Sequence, residues 1–231
     1  RNKAFQQAMS GKPGPVYLDM PGDVLYEEVD EADIIWPEPW NPEMRARPQA
    51  SPAEVEQVVN LLEQAKSPAI VSGNGILWSE ACAEFQTFVE QAGIPFYTTP
   101  QARGVIPEDH PNCYLTARST AFREADLIFI VGTRMNYISG HMSPPRFNAD
   151  AKVVRIDIDP TELDTSLRLD MGIQGDIKAV MQQLVQAMEG RVSADNFAAW
   201  RDRLRGRNSG KQEEQEAIIS SAEMPIHPLR L

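Results

Sequence analysis

The chain has 231 residues, of which 42% are apolar, so it is long enough to bury the core of one large domain or two small ones. Its 33 acidic and 22 basic side chains give a formal net charge of −11, which argues against a nucleic-acid or anionic-membrane partner because both need a basic face. The two cysteines, Cys82 and Cys113, fit neither a metal-binding spacing nor a disulfide framework, so we expect a reducing, cytoplasmic compartment.

The first fifty residues have the pattern of a domain end followed by a linker. Residues 1–11 have the pattern of the end of a helix that begins before residue 1, so we expect the sequence to be a piece of a longer polypeptide. Val16 to Met20 predict a short buried strand. From residue 24 to residue 50 the chain is acidic, rich in proline and without a period, which indicates an extended linker pinned to a surface by Trp36 and Trp40.

Residues 51–190 alternate between helical and strand patterns. The predicted strands are Pro68–Ser72, Ile94–Tyr97, Leu127–Val131, Val153–Ile158 and one near Ile173. The first predicted helix is capped by Ser51 and has Glu54 at its third position, and the last runs to about Met188 and is capped by Asp176. Between them we predict a helix from about Ser79 to Ala92, which Gly93 ends, and a helix at Ala117–Ala125. Because parallel strands require right-handed crossovers, this order predicts an α/β, Rossmann-like fold with a mainly parallel sheet and helices on both faces.

The last forty residues have a different pattern. Phe197, Trp200 and Leu204 stand at helical spacing and predict an amphipathic helix. We expect the polar residues 205–215 to break this helix before an exit segment at 225–228, which reads Pro-Ile-His-Pro.

Polar residues follow two of the apolar runs, Leu127–Val131 and Val153–Ile158, which have the composition of strands buried on both faces. Open α/β sheets keep their ligand crevice at the carboxyl ends of the strands. Arg134 is therefore a candidate for binding phosphate, and Asp157 and Asp159 for accepting hydrogen bonds from ribose hydroxyls. The alternative is that Arg134 pairs with one of these aspartates and only ties two loops together.

A glycine-rich turn follows an earlier predicted strand. Gly73-Asn74-Gly75 matches the first half of a dinucleotide-binding fingerprint, although the third glycine is missing. The alternative is a tight turn between a strand and a helix. The three histidines have no companion at ligand spacing, and no Ser, Cys or Lys stands in a recognisable nucleophile context, so we expect neither a metal site nor a catalytic residue in this sequence.

Several short motifs, in order along nearly the whole chain, resemble the thiamine-diphosphate-dependent enzymes. They are Gly14–Val24, Gly73–Gly75, Ile94–Phe96, Arg103–Gly104, Ala117–Ser119, Gly132–Asn136, Pro144–Phe147, Ile156–Pro160 and Pro225–Pro228. The resemblance implies four parts: the end of a pyrimidine-binding domain at 1–23, a linker at 24–50, a central nucleotide-binding-like domain at 51–190, and a linker to and start of a diphosphate-binding domain at 191–231.

Within this superfamily the segments around Arg118 and Arg134 look most like 2-hydroxyacyl-CoA lyases and oxalyl-CoA decarboxylases, with acetolactate synthase as the near alternative. The resemblance implies that the central domain holds ADP, part of CoA, or FAD. Asn74 departs from a lysine found there in some oxalyl-CoA decarboxylases. The implied cofactor-binding residues are Gly73, Asn74 and Gly75, Arg134 for phosphate, Asp157 for ribose, Ile158 and Ile177 for the adenine edge, and Asp176 beside Ile177.

The activity implied for the complete protein is carbon–carbon cleavage or decarboxylation of 2-hydroxyacyl-CoA or related acyl-CoA substrates. Thiamine diphosphate and Mg²⁺ would be bound by domains outside this sequence, and the complete protein would form a homodimer or homotetramer. Two alternatives remain open at this point: a 2-keto acid carboligase similar to acetolactate synthase, and a nucleotide-binding module without catalysis.

Overall fold

The computed structural model describes residues 2–36, 38, 45–163, 169–221 and 226–228 and divides the chain into two compact units, Arg1–Arg47 and Pro48–Leu231. The first unit contains helix α1 (Asn2–Met9), the short helix α2 (Gly22–Leu25) and a 3-10 turn at Glu31–Asp33. No described helix in the chain is both long enough and apolar enough to cross a membrane.

One expectation for the first unit is wrong. Val16 to Met20 form no strand, and their side chains are exposed. A strand needs a partner for its backbone hydrogen bonds, and the described part of this unit contains no other strand. Trp36 is 72% exposed and Trp40 lies outside the described residues, so the contact of the linker with a surface stays a prediction.

The second unit contains five strands and six helices among its described residues. They are α3 (Pro52–Gln64), β1 (Pro68–Ser72), α4 (Gly75–Trp78), α5 (Cys82–Ala92), β2 (Phe96–Thr98), α6 (Arg118–Glu124), β3 (Leu127–Val131), β4 (Lys152–Asp157), β5 (Met171–Gln174), α7 (Ile177–Ala187) and α8 (Ala198–Ile219). The strands form one parallel sheet in the order β2-β1-β3-β4-β5, which confirms the predicted α/β, Rossmann-like fold.

The strand order reverses between β1 and β3. The chain passes from β1 to β2 on one side and then returns past β1 to β3. Right-handed crossovers in opposite directions place α5 and α6 on opposite faces of the sheet. The ring contacts agree: Phe88 of α5 packs 5.8 Å from Phe129 on one face, whereas Phe122 of α6 packs 5.1 Å from Tyr97 on the other. Such a reversal marks the place where open α/β sheets bind ligands.

Helix ends follow the predicted signals. Ser51 and Glu54 form a reciprocal capping box at the start of α3, and Gly93 ends α5 with a φ of +67°. The single helix predicted from Ser79 is instead two helices, because the chain turns between α4 and α5, where Glu80 has a φ of +56°.

Helix α8 is longer than predicted. The polar residues 205–215 do not break it, because Arg, Lys, Glu and Gln are good helix formers. Tertiary contacts add support: the Thr116 amide donates to Asn208 Oδ1 at 3.1 Å, and Lys211 Nζ donates to the Thr116 carbonyl at 3.0 Å. The predicted exit begins at Pro225, which lies outside the described residues.

Replacing Tyr97 with phenylalanine should raise the free energy of unfolding by about 1 kcal/mol. The Tyr97 hydroxyl is buried with no hydrogen-bond partner among the described residues, and burial raises the pKa of this phenol. Thermal unfolding measures the change, and Tyr17→Phe is the control because Tyr17 is exposed. A lower melting temperature for Tyr97→Phe alone would mean that the hydroxyl has a partner, such as a buried water.

Candidate functional site

The carboxyl edge of the parallel sheet brings the predicted binding residues together. The loops at this edge are residues 73–75 after β1, 132–134 after β3, 158–159 after β4 and 175–176 after β5. Every residue predicted to bind a cofactor lies in one of these loops or immediately beside it. The sequence therefore placed the candidate site at one edge of the sheet, and the structure gives its contacts.

The loops after β1 and β3 lie in direct backbone contact. The Gly73 amide donates to the Val131 carbonyl at 2.8 Å, and the Gly75 amide donates to the Gly132 carbonyl at 2.9 Å. A Cβ on Gly73 would lie 2.1 Å from the Gly132 oxygen, so only glycine fits. Loop packing thus accounts for both glycines of the Gly73-Asn74-Gly75 turn, and their contact with a ligand stays a prediction.

Arg134 lies past the end of β3 with a side chain that is 71% exposed. Its Nε is 3.5 Å from Oε1 of Glu162, which closes the 3-10 turn Pro160–Glu162. The sequence had suggested an aspartate as the partner of Arg134 if it tied loops together. The ion pair is with Glu162, and the exposed guanidinium can still reach a ligand.

Asp157, the last residue of β4, and Asp159 help to shape the turn that follows the strand. Asp157 is almost fully buried, and its Oδ1 accepts a hydrogen bond from the Asp159 amide at 3.1 Å. Asp159 Oδ1 accepts from the amide and the hydroxyl of Thr161, at 3.0 and 2.7 Å. Ile158 between them is half-buried. Asp157 thus stands at the carboxyl end of β4 in the position predicted for a ribose contact, and that role stays a prediction.

Asp176 and Ile177 start helix α7 beside the site. Asp176 is buried, and its two carboxylate oxygens accept from the Ala179 amide at 3.2 Å and from the Ser79 hydroxyl at 2.8 Å. Ile177 is buried, and its Cδ1 lies 2.5 Å from where a Cβ on Gly132 would stand. These contacts fix the start of α7 against the loop after β3, and the predicted ligand contacts of both residues stay predictions.

Sequence analysis missed Arg155, the buried cation of the site. Its side chain is fully buried in β4, and its Nη2 donates to the Thr133 carbonyl at 2.9 Å and to Glu162 Oε2 at 2.7 Å. The same nitrogen is 3.8 Å from Asp157 Oδ2. A signal was available, since an arginine inside an apolar strand buried on both faces is rarely accommodated without an acidic partner.

Metal ions need groupings of several His, Cys, Asp or Glu side chains. None of the described His, Cys, Asp and Glu side chains gather into a group of three or more that could hold a metal ion. Burial, reinforced by the Glu108 carboxylate, raises the pKa of Cys113 to about 11, so its thiol is protonated at neutral pH.

The sequence of residues 55–184 matches the family model of the thiamine pyrophosphate enzyme central domain. The chain belongs to this family. The match lies inside the segment 51–190 that carries the parallel sheet and the site described above. The resemblance that the short motifs suggested is thereby confirmed.

Several curated thiamine-enzyme relatives resemble nearly the whole chain. The chain is 32% identical to mouse 2-hydroxyacyl-CoA lyase 1 in an alignment that covers 97% of the chain. It is 31% identical to oxalyl-CoA decarboxylase of Escherichia coli K12, with 98% of the chain covered. It is also 32% identical to the acetolactate synthase large subunit of Corynebacterium glutamicum over 88%. The chain spans 39%, 39% and 33% of these relatives, so it corresponds to little more than a third of such a protein.

A solved thiamine-enzyme structure shares the fold. The crystal structure of benzoylformate decarboxylase from Polynucleobacter necessarius matches 83% of this chain and 35% of that chain, with a TM-score of 0.64 and 20% sequence identity. At this level of identity the match shows the architecture of the sheet and its helices.

Proposed function

We propose that the complete protein is a thiamine-diphosphate-dependent lyase or decarboxylase that breaks a carbon–carbon bond in 2-hydroxyacyl-CoA or related acyl-CoA substrates. The observation that carries this proposal is the similarity to 2-hydroxyacyl-CoA lyase 1 and oxalyl-CoA decarboxylase along nearly the whole chain. The central-domain family match supports the cofactor class.

The part played by this chain in the proposal is nucleotide binding at the carboxyl edge of the sheet. Arg134 supplies an exposed guanidinium for a diphosphate, and Asp157 supplies a carboxylate for ribose hydroxyls at the end of the neighbouring strand. ADP, CoA and FAD share an adenosine 5′-diphosphate group, whose diphosphate Arg134 would contact. Asp157 would accept from a free ribose hydroxyl, which in CoA is the 2′-hydroxyl because the 3′-hydroxyl is phosphorylated.

The thiamine cofactor itself is assigned to domains outside this sequence. When bound, thiamine diphosphate would supply carbanion chemistry at a carbonyl carbon, and the resemblance assigns its diphosphate and Mg²⁺ to those other domains. In this proposal the chain contributes the sheet edge that holds the nucleotide part of a substrate or effector. We further propose a cytoplasmic homodimer or homotetramer for the complete protein, on the same resemblance.

A second candidate function is 2-keto acid carboligation. It is favoured by the 32% identity to the acetolactate synthase large subunit, which is as high as the identity to the lyase, although over less of the chain. In that case the adenosine diphosphate group at the sheet edge would belong to FAD.

An assay of the complete protein separates the candidates. We expect thiamine-diphosphate-dependent cleavage of a 2-hydroxyacyl-CoA between C1 and C2 to an aldehyde and formyl-CoA, measured with and without the cofactor and with pyruvate as the competing substrate. Turnover of pyruvate alone would favour the carboligase. Absence of activity on both substrates, with the cofactor present and the protein folded, would contradict both and favour a non-catalytic nucleotide-binding module.

A further inference from the structure

Arg155 contacts both structural elements that determine where Arg134 lies. One hydrogen bond goes from Arg155 Nη2 to the carbonyl of Thr133, the residue directly before Arg134. Another goes to Oε2 of Glu162, whose other oxygen is the ion-pair partner of Arg134. One buried nitrogen of Arg155 therefore holds the backbone directly before Arg134 and also the carboxylate that pairs with the Arg134 side chain.

The burial of Arg155 is costly for a residue that serves stability alone. Its Nε and Nη1 are buried without a hydrogen-bond partner among the described residues. Unpartnered buried N–H groups lower stability, and an apolar side chain of similar size would avoid that cost. The position therefore calls for a role beyond the packing of β4.

The charges at the site indicate that role. Without Arg155, Glu162 would neutralise Arg134, and the pair would attract a phosphate only weakly. Arg155 lies at the other oxygen of Glu162 and 3.8 Å from Asp157 Oδ2, so the two arginines balance the two carboxylates and Glu162 is shared between both guanidiniums instead of neutralising Arg134 alone. Arg134 is also restrained before a ligand arrives, which lowers the entropy cost of binding.

We propose that Arg155 is a positioning residue that, through Thr133 and Glu162, presets Arg134 for the diphosphate of an adenine nucleotide. This inference rests on the nucleotide site of the proposed function. It assigns Arg155 no contact with the ligand, because its side chain is fully buried. The conservative change Arg155→Lys keeps the positive charge, but a lysine ammonium lacks the planar fork of a guanidinium.

The test is a double-mutant cycle on the complete protein, with binding of ADP and of adenosine measured by calorimetric titration. The variants are Arg155→Lys, Arg134→Ala and the double variant. Arg155→Lys should weaken ADP binding about tenfold and reduce the preference for ADP over adenosine by a similar factor. In the Arg134→Ala background the same change should have little further effect, because Arg155 acts through Arg134.

Controls separate positioning from folding. Lys152→Met changes a cation at the opposite end of β4, which pairs with Asp170, and should leave ADP binding unchanged. Arg155→Met is the second variant in case the lysine variant does not fold. It should likewise reduce the preference for ADP over adenosine, with no further loss in the Arg134→Ala background.

Each contrary outcome has its own meaning. The positioning role is overturned if Arg155→Lys lowers the affinities for ADP and adenosine equally. It is also overturned if the losses of ADP affinity from Arg155→Lys and Arg134→Ala add fully in the double variant. In both cases the nucleotide site itself stands. Failure of both Arg155 variants to fold also overturns the positioning role, since the residue would then be structural. If the wild-type protein binds neither ADP nor CoA nor FAD, the nucleotide site of the proposed function fails, and the positioning role fails with it.

Discussion

Replacing Gly73 with alanine is expected to destabilise the protein severely. An alanine Cβ would lie 2.1 Å from the Gly132 carbonyl oxygen and 2.3 Å from Thr133 Cβ, so the loops after β1 and β3 would have to separate. Separation would break the hydrogen bonds from Gly73 to Val131 and from Gly75 to Gly132. Overpacking against backbone costs about 3 kcal/mol or more, and lost hydrogen bonds add to it.

Thermal unfolding followed by circular dichroism measures this effect. For a domain of this size, about 3 kcal/mol corresponds to a fall of roughly 6–12 °C in melting temperature. Gly206→Ala is the matched control, because Gly206 lies within α8 and a Cβ there meets nothing within 4 Å. That change should leave the melting temperature unchanged or raise it slightly, since alanine is the better helix former. A Gly73→Ala variant as stable as the wild type would show that the two loops can move apart freely.

The strands of the sheet could be predicted because their signals are local. Leu127–Val131 is a continuous apolar run, and its boundaries are those of β3 in the structure. Asp176 was recognised as a helix cap because Ser, Thr, Asp and Asn accept hydrogen bonds from exposed helix amides, and its Oδ1 does so from Ala179.

The wrong predictions depended on contacts between distant residues. Val16–Met20 has the composition of a strand but finds no partner in the described part of its unit, and composition cannot report a missing partner. The extension of α8 is supported by Thr116, which lies more than ninety residues before Asn208 in the sequence. Spacing along the chain carries no information on such contacts.

The common location of the candidate residues at one sheet edge was predicted, but their ion pairs were not. Topology places strand carboxyl ends together, so Arg134 and Asp157 could be assigned to one edge from the order of elements. The pairing of Arg134 with Glu162 depends on the turn after Asp159, and the burial of Arg155 depends on packing around β4. Neither leaves a periodic signal in the sequence.

Replacing Arg134 with alanine should weaken adenine-nucleotide binding and leave the fold intact. The loss of a charge-assisted contact to a diphosphate costs about 1.5–3 kcal/mol, or roughly ten- to a hundredfold in affinity. The stability effect should be small, because the side chain is 71% exposed and its ion pair with Glu162 is 3.5 Å long. Glu162 also keeps its closer partner Arg155 at 2.7 Å when Arg134 is removed, so we expect a loss of at most about 1 kcal/mol. Calorimetric titration of the complete protein with ADP, CoA and FAD measures the loss and identifies the ligand.

Arg103→Ala is the control for Arg134→Ala. Arg103 is 72% exposed and pairs with Glu108 at 3.4 Å, so it matches Arg134 in exposure and in ion-pair distance. It follows β2, however, and β1 and β3 separate that strand from β4 and Asp157. Binding should therefore fall for Arg134→Ala and stay unchanged for Arg103→Ala. Equal losses would mean that only the general charge of the edge attracts the ligand. A lower melting temperature with unchanged affinity would mean that Arg134 only ties the loops after β3 and β4 together.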